Sequence, residues 1–164
     1  MESATELSCL DCAGRPDRLF CDLPVEVLKA FDELKTTSLY PRGTILFRES
    51  SVPKAIFVLC EGRARLTACS ESGRRLTVRI AGPGEVLGLS ACLAGSMHEM
   101  TAELLDNAQV ATVRRKDLMR FLHDHREACM HVVNLLSQDL HYAYDRVRAV
   151  GMGRGRRMRT AQVH

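Results

Sequence analysis

The chain has 164 residues, 46% of them hydrophobic and 26% charged, enough to bury one core as a single domain and too few for an ordinary two-domain enzyme. Its longest apolar run, Ala55–Cys60, is six residues, against the roughly 20 that a membrane-crossing helix needs, so no membrane is expected. The formal charge of +3 is unevenly spread: residues 1–145 hold 17 cations against 20 acids, while six arginines and no acid follow, so only the tail suits nucleic-acid phosphates.

The first six residues, Met1 to Glu6, contain neither a basic nor an apolar region, which reads as no secretory signal and predicts the cytoplasm. Seven cysteines, an odd number, then suit buried small hydrophobes, metal ligands or redox thiols better than a disulfide framework. Three of them, Cys9, Cys12 and Cys21, are gathered in a segment over 1–21, and thiolates at such spacing can grip one soft metal centre.

Behind Asp22 and Pro24, which suit a cap and first turn, Leu23, Val27, Phe31 and Leu34 repeat at helical spacing and predict a short amphipathic helix. From Thr36 to Arg114 turn signals recur at short intervals, among them Pro41-Arg42-Gly43, Glu61-Gly62, Ser72-Gly73 and Gly82-Pro83-Gly84. Between them lie strand-like runs, 44–47, 56–60, 63–68, 75–80 and 109–113, rich in β-branched residues. Strands this short and this regularly spaced predict an antiparallel sandwich or barrel. His123-Asp124-His125 follows the barrel at a helix junction, where the two rings diverge and a solvated turn is the plainer reading than a metal pair.

A helix is predicted over 126–150. Cys129, Val133, Leu136, Leu140, Ala143, Val147 and Val150 stand 4 and 3 apart in alternation, the 3.5-residue period of a coiled-coil seam, opposite a polar face with Asn134, Gln138, Asp145 and Arg148. The seam fits a parallel homodimer, in which the two Cys129 copies could meet; the alternative is one helix docked on its own barrel. From Gly151, glycines and arginines end the periodicity and predict a basic, flexible tail over 151–164.

Tyr40 to Phe47, Ile56 to Ala64 and Pro83 to Gly88, taken in this order and spacing, carry a resemblance to the sensory domain of the Crp/Fnr transcription regulators over about residues 17–150. The resemblance implies a mainly β fold with flanking helices: a cyclic-nucleotide-binding-type β-roll, or jelly-roll barrel, over 22–125 followed by the dimerisation helix. In nucleotide-binding members of that family, the segment matching 84–101 wraps a cyclic phosphate. It implies an effector pocket at Gly84, Glu85, Val86, Leu87, Gly88, Leu89, Met100 and Thr101, with Glu85 in the place of the ribose-binding carboxylate and Thr101 in that of the hydroxyl. The position of the family's phosphate-neutralising arginine falls on Met100, and a thioether cannot neutralise a phosphate, which counts against cyclic AMP.

The resemblance further implies an iron–sulfur cluster at Cys9, Cys12 and Cys21, where a zinc ion is chemically as allowable, although the second spacing is longer than in the oxygen-sensing branch and its barrel ligand falls on Ala111. Related regulators continue into a DNA-reading helix-turn-helix, which the 14 residues after Val150 cannot form, so the family's DNA binding has no support in this chain. A sensor of a small effector or of redox state follows, signalling through a homodimer helix or a heterodimer with a full-length relative. No nucleophile elbow or phosphate-cradling Gly-rich loop is present, and no enzyme is expected. The alternatives are a metal-dependent cupin-like barrel enzyme using His123 and His125, and an apo dimerisation scaffold with a degenerate pocket.

Overall fold

The computed structural model describes residues 23–158, with 152–158 as backbone. By contact density the chain divides into two units, Met1–His131 and Val132–His164. Helix α1 (Val25–Leu34) starts behind Pro24, whose φ of −51° already suits a helix entry. Its buried Val27, Leu28 and Phe31 form one stripe, and the Phe31 ring meets Phe121 of α3 (Arg115–Asp124) at 5.7 Å.

Eight strands separate those helices: β1 (Thr36–Tyr40), β2 (Ile45–Phe47), β3 (Ala55–Glu61), β4 (Ala64–Cys69), β5 (Arg75–Ala81), β6 (Val86–Leu87), β7 (Thr101–Leu104) and β8 (Ala108–Arg114). They pair antiparallel in two four-stranded sheets, ordered β1-β8-β3-β6 and β2-β7-β4-β5: the antiparallel barrel that the turn spacing anticipated, in the β-roll form that the resemblance implied. The period of two sorts their side chains. Leu59, Leu66, Leu87, Leu104 and Val110 fill the interior at 0–2% exposure, each worth about 1.5–3 kcal/mol of transfer free energy. Ile56 and Val58 of β3 stand opposite Val113 and Ala111 of β8 on the other face of that sheet, where α3 covers both strands.

Three strands escaped the sequence reading. β6 has two residues, too few for any alternation, and β1 reads Thr-Thr-Ser-Leu-Tyr with only Thr37 buried. β7 reads Thr-Ala-Glu-Leu and is recruited by pairing with β4 and β2 rather than by propensity. The turn at Gly62 does need its glycine: φ is +90° and a Cβ there would lie 2.7 Å from that of Ala108.

Helix α4 (Arg126–Met158) spans 33 residues and corrects the predicted boundary at Gly151. An established helix adds one hydrogen bond per residue, and the arginines and methionines between the glycines are good helix formers, which offsets about 1 kcal/mol per glycine. Cys9, Cys12, Cys21 and 159–164 lie outside the described residues.

Candidate functional site

The segment 84–101 folds as a cassette laid across the roll. Gly84, at φ +90°, turns the chain into β6: its N–H donates to the Leu59 carbonyl at 2.7 Å and the Leu59 N–H returns a bond to Glu85 O at 3.0 Å. Gly88, left-handed at φ +81° and ψ 7°, opens the six-residue helix α2 (Leu89–Ala94), and Gly95, also left-handed, closes it with its N–H on the Ala91 carbonyl. These are the conformations in which a side chain is costly, which is why the sequence places glycine there.

The chain then returns through Met97, His98 and Glu99. The backbone of His98 is pinned to the loop after β2, donating to Ser51 O at 2.9 Å and accepting from Ser50 N–H at 2.8 Å. Its ring is buried, 4% exposed, and stacks on Phe47 with centroids 4.1 Å apart and planes 15° from parallel; Phe47 in turn stacks on Phe57 at 5.9 Å. A Cβ added to Gly88 would lie 3.1 Å from His98 Cε1, so the imidazole stands directly against the turn that opens α2. Burial pushes the His98 pKa below the ordinary histidine value, with Glu99 opposing more weakly, so the ring is neutral at pH 7.

The predicted pocket residues separate in the structure. Leu87 belongs to the roll's core cluster, and Met100 packs against that cluster. The Thr101 hydroxyl accepts the Glu49 N–H at 2.9 Å, while the other end of Glu49, its Oε2, accepts the Cys69 N–H at 3.0 Å. Glu85 is engaged by the protein itself: one carboxylate oxygen meets the Arg79 guanidinium and the other the Gly82 N–H, so a ribose hydroxyl would share a carboxylate whose charge Arg79 already balances. Residues 84–101 contain no lysine or arginine, and the neutral His98 supplies no cation. Chemically the cassette offers a stacked aromatic wall, a thioether and backbone amides.

The other candidates are placed as follows. The His123 Nδ1 pairs with its neighbour Asp124 at 3.2 Å while the His125 ring tilts against Phe121 at 4.9 Å, so the two histidines do not converge. Among the described residues no three His, Cys, Asp or Glu side chains are grouped to hold a metal ion. Cys69, Cys92 and Cys129 are free thiols, Cys92 fully buried and its pKa raised by that burial. Along α4, Val133, Leu140, Val147 and Val150 are half or more exposed in the single chain.

One cluster was missed altogether. The register that sets Ala55 opposite Arg114 brings Lys54 beside the start of α3, where Arg114, Arg115, Lys116 and Arg120 line the same groove. The run Arg114-Arg115-Lys116 was the available signal, masked by a charge sum taken over the whole body.

Residues 38–125 match the family described as the cyclic nucleotide-binding domain. The chain is 26% identical over 143 residues to the nitrogen fixation regulation protein FixK of Bradyrhizobium diazoefficiens, covering 87% of this chain and 59% of that protein. It is 26% identical over 140 residues to the transcriptional activatory protein AadR of Rhodopseudomonas palustris, covering 85% and 57%. It thus spans a little under three fifths of these relatives' length. The catabolite activator protein of Thermus thermophilus shares the fold at a TM-score of 0.72 and 21% identity, over 81% of this chain and 62% of that one. The sensor domain of the transcriptional regulator DNR from Pseudomonas aeruginosa does so at 0.63 and 18%, over 77% and 85%.

Proposed function

Because the chain belongs to the cyclic nucleotide-binding domain family, in its Crp/Fnr type, we propose that it is the effector-sensing part of a transcription regulator and that it signals through a parallel homodimer helix. The relatives are described as regulation and activatory proteins, and the heptad seam gives such a chain a route for its signal. The observation that carries the reading is the exposure of that seam: Val133, Leu140, Val147 and Val150 present apolar side chains to solvent at 50–68%, the pattern of a face that a second copy covers.

The effector is a small, uncharged or apolar molecule rather than a cyclic nucleotide. A phosphodiester buried in the cassette would meet Met100, a neutral His98 and a Glu85 already paired to Arg79, and an uncompensated buried anion is expensive. A ligand displacing the His98–Phe47 stack would shift the cassette between two packings, and the change would pass by population shift to the helix.

Sedimentation of the Leu136→Asp, Leu140→Asp double variant tests the dimer. A dimeric wild type and a monomeric variant are expected; equal masses for the two would remove the seam. Calorimetric titration with cyclic AMP tests the pocket, with no saturable heat expected, and saturable micromolar binding would restore the nucleotide reading.

A further inference from the structure

On the outside of the roll, away from the roll's interior core, lies an open groove of about 840 Å³ whose lining includes Lys54, Arg114, Arg115, Lys116 and Arg120 against a single acid, Asp117. Asp117 is taken by Arg114, Nε to Oδ2 at 3.0 Å. Among the described residues, Lys54, Arg115, Lys116 and Arg120 enter no ion pair. Residues 1–145 are net acidic, so this concentration of positive charge is local and is assembled by the fold.

Two backbone anchors hold the groove's shape. The Arg115 N–H donates to the Lys54 carbonyl at 2.9 Å, joining the start of α3 to the residue before β3. The Arg115 Nε donates to the Cys92 carbonyl in α2 at 2.7 Å and one terminal nitrogen lies beside Gly95, 3.2 Å from where a Cβ there would stand, which fixes the plane of the guanidinium at the rim of the groove. Lys116 and Arg120 are four apart on α3 and so share a face. Like charges held this closely repel one another, and a concave wall of one sign focuses its field on any anion that enters.

We propose that this groove, which touches the cassette only where Arg115 meets α2, is a second ligand site, distinct from the His98–Phe47 end, that binds a small molecule carrying several phosphate groups. A single phosphate would engage only part of a lining with four unpaired cations, whereas a phosphate chain can meet them together.

The test is calorimetric titration of the purified chain with sodium tripolyphosphate, orthophosphate and a short DNA duplex, at low and at physiological salt. Wild type is expected to bind one tripolyphosphate per chain, at least tenfold more tightly than orthophosphate, with affinity falling as salt rises. Lys54→Gln with Arg120→Gln removes two cations that hold no hydrogen bond in the fold, and is expected to weaken binding about 100-fold, tenfold for each charge-assisted hydrogen bond to the ligand that is removed. Arg115→Gln is expected to lose at least as much. Arg74→Gln, in the turn between β4 and β5, is expected to bind as wild type. No saturable binding, equal losses in the Arg74→Gln control and the groove variants, or binding of the duplex without tripolyphosphate would each overturn the proposal.

Discussion

Alanine at Gly88 is the most direct probe of whether the cassette is closed by its own side chains. Two costs add. The backbone there is left-handed, at φ +81°, which costs a side-chain-bearing residue about 1–2 kcal/mol. The new methyl would also stand 3.1 Å from His98 Cε1 and 3.5 Å from Phe47 Cε1, and overpacking of this kind costs about 1–3 kcal/mol. Gly88→Ala is therefore expected to destabilise the protein by about 2–5 kcal/mol, lowering Tm by roughly 4–20 °C at this chain length. Urea unfolding followed by far-UV circular dichroism measures it, the chain having no tryptophan to report. In a His98→Ala background the closest clash is gone while the backbone cost stays, so the same substitution should cost about 1–2 kcal/mol and the cycle should show about 1–3 kcal/mol of coupling. Additivity of the two substitutions within about 0.5 kcal/mol would refute the placement of the imidazole against Gly88.

The buried His98 also predicts a pH dependence. Its folded pKa lies below the ordinary 6.5, so below that pH the unfolded chain binds the proton more readily than the native one. Stability contributed by the neutral ring is complete above about pH 6.5 and lost as pH falls toward the folded value; His98→Gln should flatten this part of the profile, and an unchanged slope would refute it. Gly62→Ala, which sets a Cβ 2.7 Å from that of Ala108 at φ +90°, should cost about 2–5 kcal/mol and appear as a lower urea midpoint with an unchanged slope; a midpoint within error of wild type would contradict the packing of that turn. Anaerobic purification with iron and zinc analysis should find metal in the wild type that a Cys9, Cys12 and Cys21 triple-serine variant lacks, while equal metal in both would return those cysteines to thiol chemistry.

Much of the architecture was legible in the residues. The turn signals cut the chain where the observed strands end, and five of the eight strands declare themselves by β-branched runs. The α1 stripe is equally plain, because it is a local rule of period, whereas the cassette at 84–101 was legible only through the family resemblance. β1, β6 and β7 were not, because a two-residue strand or a polar one exists only through the partner that pairs with it. The end of α4 was misread because composition weighs residues singly, whereas a helix already formed propagates cooperatively.

At the candidate site the sequence alone determined that no lysine or arginine stands in 84–101, which is a matter of residue type. Only the tertiary structure decided what occupies the space: the imidazole of His98 stacked on Phe47, Glu85 spent on Arg79, and Thr101 tied to Glu49. It alone assembled the basic groove, too, since Lys54 and Arg115 are neighbours by sheet register while lying some 60 residues apart in the chain. Residue chemistry can be read along a chain, but which groups are desolvated, paired or gathered depends on contacts between distant segments, and those arise when the sheets close.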